Sequence, residues 1–339
     1  VLEVKEPGLF TTVQDLGRNG YQAYGMPVAG AMDEYACKMA NRLLCNEPGA
    51  AVLEMTLLGG SFCFHQACWV AVTGAAMPIS LDGKMQSNWS RFFVPAGSEL
   101  SFGYAEQGCR TYLAVQGGVE VPVILGSRST YTRGTIGGLN GRALKTGDVL
   151  PLGACDRRLK KPLFLPVSYI PIPEERPLVR VLLGPQAEAF TDQGVAALFS
   201  ADYEISSEAD RMGYRLEGPV IEHVGKADII SDALCLGAIQ VPGHGQPIVM
   251  MADRQTTGGY TKIGAVIGAD LGKLAQAKPG DQVRFVQCSD AEAVAALRQM
   301  RSLEQSAAAW LAGAEESKGS RQFRIVVAGA TYDVQVQEG

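Results

Sequence analysis

Ile239-Gln240-Val-Pro-Gly-His-Gly-Gln-Pro247-Ile-Val-Met-Met-Ala-Asp-Arg254-Gln-Thr256 repeats, in order, the features of an earlier stretch, Val115-Gln116-Gly-Gly-Val-Glu-Val-Pro122-Val-Ile-Leu-Gly-Ser-Arg128-Ser-Thr130. Each copy runs glutamine, glycine loop, proline, apolar strand and Arg-x-Thr. Each is followed by a closing turn, Lys145-Thr-Gly-Asp148 or Lys278-Pro-Gly-Asp281. A repeated supersecondary unit predicts two similar β-rich lobes. A ligand site is then expected in the groove between them.

The text around the repeat agrees. From Gly60 to Gly153 short alternating apolar segments are separated by Gly, Pro, Asp and Asn turns, the pattern of an all-β barrel or sandwich. Helices are expected from Asp33 to Leu44, where Asp33 is placed to cap the first turn, over Gln186 to Phe199, and over Asp290 to Ala314, outside the barrels. A Pro-, Lys- and Arg-rich connection runs from Arg157 to Pro177. The expected organisation is a mainly β chain with a few short helices and a C-terminal helix: one lobe over 1–170, a second over 171–290, a helical linker over 291–318 and a β-hairpin tail over 319–339.

Composition narrows the function. A net charge of -5 and a pI near 5.4 give no basic field for a nucleic-acid backbone. The apolar runs are too short to cross a membrane and the first residues do not read as a signal peptide, so a cytoplasmic protein is expected. The cysteines are scattered, as reduced thiols packed in a core would be. Cys63-x-His65-x-x-Cys68 is the one grouping that resembles a metal site, but it lies in a strand-like stretch, and no metal is expected.

The chemistry-bearing residues concentrate around the second copy of the repeat. Glycines at 243, 245, 258 and 259 let a ligand approach bare N–H groups, and Gln240, His244, Gln246, Asp253, Arg254, Gln255, Thr256, Tyr260 and Lys262 stand among them. Two loops joined by one short strand need not face one cleft, although His244 and Arg254 are expected to line a common groove. Gln14, Asp15 and Arg18 form either a second wall of the cleft or a turn in which Asp15 satisfies backbone donors and pairs with Arg18. Arg211 sits in the cluster Ser207, Glu208, Asp210, Arg211, which is either a salt-bridged loop or a device for presenting Arg211 to an anion. Glu54 is read either as catalytic or, more commonly for a strand carboxylate, as the partner of an arginine. Asp82-Gly-Lys-Met85 and Leu271-Gly-Lys-Leu274 lack the upstream glycine and the Ser/Thr of a phosphate loop.

Thr11-Thr-Val-Gln-Asp-Leu-Gly-Arg18, Gly30-Ala-Met-Asp33, Gly126-Ser-Arg-Ser-Thr130, Asp210-Arg-Met-Gly213, Gly237-Ala-Ile-Gln-Val-Pro-Gly-His-Gly-Gln-Pro247 and Met251-Ala-Asp-Arg-Gln-Thr-Thr-Gly-Gly-Tyr260 resemble the allophanate hydrolase subunit 2 family. The resemblance covers residues 1 to about 290. It implies two cyclophilin-like β-barrel lobes. It also implies one component of an ATP-dependent 5-oxoprolinase that hydrolyses 5-oxo-L-proline to L-glutamate. ATP would then act at the level of the complex. The partners would be an allophanate hydrolase subunit 1-like protein (the 5-oxoprolinase B component, or the kinase inhibitor KipI) and the 5-oxoprolinase A component. Two alternatives stay open: the carboxyltransferase part of a biotin-dependent urea or amide carboxylase, and a regulator that antagonises a histidine-kinase inhibitor. Such a hydrolase must stabilise an anionic oxygen, which Arg254, Arg18 and Lys262 suit, and position water, which His244 or Asp253 suits, so His244, Asp253, Arg254 and Lys262 are the expected catalytic residues. Gln14, Asp15, Arg18, Arg211, Gln240, Gln246, Gln255, Thr256, Gly258, Gly259 and Tyr260 would bind the amide substrate. The tail Arg321–Val336, with an Ala-Gly-Ala turn, resembles the segment that precedes a biotinyl domain.

Overall fold

The computed structural model describes residues 1–155, 157–316, 320–327 and 330–337. In the first lobe two six-stranded sheets enclose one core. One sheet runs, edge to edge, Val149–Leu150, Leu2–Glu6, Ser61–Phe64, Glu99–Phe102, Ile79–Leu81, Lys84–Gln86; the other runs Leu163–Phe164, Ser90–Val94, Cys68–Ala76, Gln107–Val115, Val52–Thr56, Phe10–Gln14. Alternation sorts the residues: Leu2 and Val4 point inward to meet Val70, Val72, Leu113 and Val115. From the back of the second sheet, Val52, Ala71, Tyr112 and Ala114 pack against the helix α1 (Glu34–Leu43).

Helix α1 starts where the sequence places it. Asp33 is the cap, its carboxylate accepting from Ala36 N at 3.1 Å, an interaction worth about 1 kcal/mol. The second lobe is a closed barrel in the order Leu178–Leu183, Lys262–Val266, Ala238–Gln240, Ile248–Met250, Gly213–Glu217, Asp202–Ile205, Gln282–Gln287, shut by parallel pairing of the last strand with the first. Val181, Tyr203, Ile205, Leu216, Ile239, Val249, Ile263 and Phe285 fill it.

Two expectations are corrected here. The helix over Gln186–Phe199 is split into a 3-10 turn at Ala187–Ala189 and α2 (Asp192–Ser200), because the Thr191 hydroxyl accepts from Gly194 N and so caps a new helix. The apolar run Val123-Ile-Leu125 of the first repeat is not a strand. Pro122 supplies no N–H, and Leu125 and Gly126 take left-handed φ values of 52 and 76 in a tight turn, leaving the three apolar side chains exposed. Its counterpart Ile248–Met250 is a barrel strand.

The closing turns do correspond. Asp148 accepts from Lys145 N at 2.7 Å and Asp281 from Lys278 N at 3.0 Å, while Gly147 N and Gly280 N each donate at 2.8 Å to the neighbouring strand, at Val4 O and Ile205 O. After the short α3 (Leu271–Gln276) comes α4 (Asp290–Glu316), which packs against the strand Leu178–Leu183 of the barrel and against α1 of the first lobe. Ala307 and Leu311 of α4 are buried with the α1 residues. Glu304 reaches Lys38 at 3.6 Å and Arg42 at 3.2 Å. The tail forms the antiparallel pair Ser320–Val327 and Ala330–Gln337; the central Ala328-Gly329 of its turn lies outside the described residues, as do the last two residues of the helical linker, 317 and 318.

Candidate active site at the seam between the lobes

The loop after the strand Phe10–Gln14 is shaped by Asp15. Its carboxylate accepts from Gly17 N at 2.8 Å, Ser127 Oγ at 2.6 Å, Arg128 N at 2.5 Å and Ser129 Oγ, which ties the loop to the first repeat. Asp15 therefore satisfies backbone and hydroxyl donors, but it is not hydrogen-bonded to Arg18. Arg18 is fully buried. Its Nη2 donates to Ser129 O, while Nε and Nη1 meet no hydrogen-bond partner among the described residues. Burial pushes the guanidinium below its usual pKa, opposed by the charges of Asp15 and, from the second lobe, Asp253. Gln14 ends the strand that leads into this loop. Its Nε2 donates to Thr12 Oγ1 at 3.0 Å and Thr130 O at 3.1 Å, and its Oε1 is also unpartnered.

Arg211 enters the seam from the second lobe. Its Nε and Nη2 donate to the Asp253 carboxylate at 3.0 and 2.9 Å, its Nη1 to Glu54 of the first lobe, and Nη2 again to Gly30 O at 2.6 Å. The anions that Arg211 meets are thus protein carboxylates. Glu54 is held in turn by Met32 N and Tyr112 Oη, both at 2.8 Å. Burial works to lower the Arg211 pKa, but Asp253 and Glu54 more than reverse this, so it stays charged. Burial raises the Asp253 carboxyl against the pull of Arg211.

The remaining candidates lie elsewhere on the barrel. Asp228–Ala233 and Thr257–Tyr260 pair as a two-stranded flap, and Leu234 beside it covers Ala238 and Met250 on the outer side of the barrel. Gln240 is buried there, its Nε2 donating to Tyr260 O at 3.4 Å. A Cβ on Gly258 would lie 2.5 Å from that nitrogen, which explains the glycine. Gly259 and Tyr260 complete the flap strand, with Tyr260 partly exposed; Gln255 and Thr256 lead into it, Thr256 O accepting from Leu234 N. Arg254 is buried at its foot, with Nε to Leu234 O at 3.3 Å and Nη1 to Met251 O at 3.4 Å. Lys262 Nζ is held by Asp232 at 2.6 Å, beside an open groove of about 820 Å³ lined by Gln186, Val224, Lys226, Ile230 and Asp232.

His244 and Arg254 do not line one groove. The strand Ile248–Met250 separates them: His244 is exposed on the loop before it, accepting from Gln246 N at 3.2 Å, and Arg254 is buried after it. Gln246 turns to Gly218, exchanging bonds of 2.8 and 3.0 Å with its backbone. The structure thus gathers Gln14, Asp15, Arg18, Arg211 and Asp253 at the seam, and Gln240, Arg254, Gly258, Gly259, Tyr260 and Lys262 at the flap. His244 and Gln246 stand apart from both.

Residues 24–287 match the family model described as "Carboxyltransferase domain, subdomain A and B". The chain belongs to that family. It is 38% identical over 314 residues to the C component of the 5-oxoprolinase of Escherichia coli (strain K12), covering 91% of this chain and 98% of that one. The corresponding protein of Haemophilus influenzae is 39% identical over 293 residues, covering 86% and 92%. Among solved structures, that of the K. lactis urea amidolyase superimposes with a TM-score of 0.85 at 31% identity over 91% of this chain, which spans 20% of that protein. The family resemblance drawn from the motifs holds.

In this carboxyltransferase-family chain several seam residues escaped the sequence reading. Gln276 of α3 donates to Asp33 at 2.8 Å and accepts from Cys109 N and Arg110 N, both at 3.1 Å. Arg110 Nη1 reaches Tyr214 Oη at 2.5 Å and Ala275 O at 2.6 Å. None stands in a motif, and each acts only because the lobes meet. Ser127 and Ser129 carried a signal, two hydroxyls flanking Arg128 inside a quoted motif, but their partner Asp15 is far off in sequence. Among the described residues no helix is long and apolar enough to cross a membrane.

Proposed function

We propose that this chain is the C component of an ATP-dependent 5-oxoprolinase that opens 5-oxo-L-proline to L-glutamate, working with an allophanate hydrolase subunit 1-like partner (the B component) and with the A component. The observation that carries this reading is coverage: the similarity runs over 98% of the corresponding E. coli 5-oxoprolinase chain, against 20% of the urea amidolyase. Hydrolysis of an unactivated lactam requires that charge on the amide oxygen be stabilised and that a proton be handled nearby. In this reading the seam supplies both, Arg18 as the buried positive group and Asp253, held by Arg211, as the carboxylate beside which a proton is handled. ATP enters at the level of the complex. Arg254 and Lys262, held by the flap, orient that wall of the barrel, and His244 on the far loop is not required.

A second reading is supported by the family model and by the urea amidolyase superposition: the carboxyltransferase part of a biotin-dependent urea or amide carboxylase. One experiment separates the two. The chain is reconstituted with candidate partner proteins, and glutamate release from 5-oxo-L-proline with ATP is measured beside carboxylation of urea with a biotinylated carrier. Glutamate release that depends on this chain supports the first reading; urea carboxylation without glutamate release overturns it.

A further inference from the structure

Ile230 is 95% exposed, although it lies on a strand of the flap. That strand, Asp228–Ala233, is paired on one side only. Asp228 meets Tyr260 and Asp232 meets Gly258, so between these two pairs it carries two residues more than its partner and bulges. Among the described residues no strand pairs with its other edge. A bulged edge resists the addition of a further regular strand, so what this edge offers is a protruding apolar side chain and not a ladder of backbone groups.

Beside this knob lies the open groove of about 820 Å³. Its apolar lining is Ala189, Val224 and Ile229 together with Ile230 itself, and Val224 is 70% exposed. Val224 N donates to Ala189 O at 2.9 Å and Gln186 Nε2 donates to Asp232 at 3.2 Å, which ties the 3-10 turn at Ala187–Ala189 to the segments on either side of the groove. Single exposed apolar residues are ordinary, but these share one concave surface. Glu188 and Lys226 also line it, both exposed, and neither has an ion-pair partner among the described residues.

The face is therefore complementary to itself. It carries an apolar knob next to an apolar recess, and an unpaired acid next to an unpaired base. An isologous contact requires each feature and its complement on the same patch, and here both pairs are present. We propose that this face is an interface between two copies of the chain related by a two-fold axis, with Ile230 of each seated in the groove of the other and Glu188 facing Lys226 across the contact. Such a contact would also pin the flap. Asp232, on the same strand, holds Lys262 Nζ at 2.6 Å, and the paired strand Thr257–Tyr260 supplies the carbonyl of Tyr260 to the buried Gln240.

The test is sedimentation of the full chain over a range of micromolar concentrations, beside four variants. The expected result is a reversible dimer. Ile230→Asp should weaken it at least about tenfold, because a carboxylate then enters an apolar recess twice per dimer. Lys226→Glu and Glu188→Lys should each weaken it by setting like charges opposite one another, and the double reversal Lys226→Glu with Glu188→Lys should restore it. All the altered side chains are exposed, so each variant should melt as the wild-type monomer does. A chain that stays monomeric at every concentration, or a dimer that Ile230→Asp leaves intact, overturns the interface. A dimer that the double reversal fails to restore overturns the pairing of Glu188 with Lys226. A monomer that joins the candidate partner proteins only while Ile230 is intact assigns the groove to a different protein and overturns the second copy.

Discussion

Glu54 and Arg211 form an ion pair across the seam with side chains only 1% and 7% exposed, one on a sheet strand of the first lobe and the other on a loop of the barrel. Deleting Arg211 strands two buried carboxylates, Glu54 and Asp253, whereas deleting Glu54 leaves Arg211 paired with Asp253. Arg211→Ala should lower unfolding stability by about 3–5 kcal/mol in urea titrations, and Glu54→Ala by less. The double variant should cost less than their sum, since the second deletion removes the charge stranded by the first. Additive losses would show that the pair does not couple the lobes.

Asp270 gives the acid limb of stability. Burial works to raise its carboxyl, but hydrogen bonds from Arg180 Nε, Nη2 and N at 2.7 to 2.8 Å outweigh it and hold the pKa below the ordinary aspartate value. A carboxyl depressed in the folded state stabilises above its unfolded pKa of about 3.9 and loses that contribution as pH falls through the folded value. The stability gap between wild type and Asp270→Asn should therefore be widest near neutral pH and close below pH 4 or so. Asp253, raised in the folded state, runs the other way: its contribution is fully present below the unfolded pKa and is lost as pH rises through the raised folded value.

Helix α4 should owe its docking to apolar burial more than to its ion pairs. Leu311→Ala is expected to cost about 2–5 kcal/mol of unfolding free energy, as for other buried leucines. Glu304→Ala, which removes the partly exposed pairs with Lys38 and Arg42, is expected to cost about 1 kcal/mol or less. The reverse order would place the helix's hold in its charges.

For the site, Asp253→Asn should lower turnover of the reconstituted complex by about a hundredfold, the usual size of a lost general acid-base contribution. His244→Ala should leave both turnover and melting temperature near wild type, because the side chain is exposed and its ring accepts a hydrogen bond from Gln246 N of its own loop. Arg254→Ala should lower the melting temperature, since its guanidinium is buried against Leu234 O and Met251 O. Full loss of turnover in a well-folded His244→Ala would move the chemistry to the far loop.

What the sequence made legible follows local rules. Strand alternation, the Asp33 cap and the Asp148 and Asp281 turns are each decided within a few residues, and each appears where it was read. The apolar run at 123–125 is misleading, because its hydrophobicity reads as a strand where Pro122 and a left-handed Leu125 impose a turn. The helix at 186–199 was overextended because its apolar spacing continues through Phe190, while the Thr191 cap interrupts the backbone. The division of polar residues between seam, flap and far loop was not readable. Opposite ends of one short strand, Ile248–Met250, face different surroundings, and only the meeting of the lobes decides which end becomes the seam.

The return of α4 from the barrel to α1 has a mechanical consequence. The lobes are joined once by the chain near residue 170 and again, from outside, by a rigid rod carrying Ala307 and Leu311 into the first lobe. Two fastenings remove the single pivot about which a clamshell would swing. Parting the lobes then requires α4 to withdraw Ala307 and Leu311 as well as the seam contacts to break. Replacing Gly138, whose added Cβ would strike Thr130 Oγ1 at 1.9 Å, should instead disturb only the loop beside Arg18, in a molecule whose two halves remain fully docked.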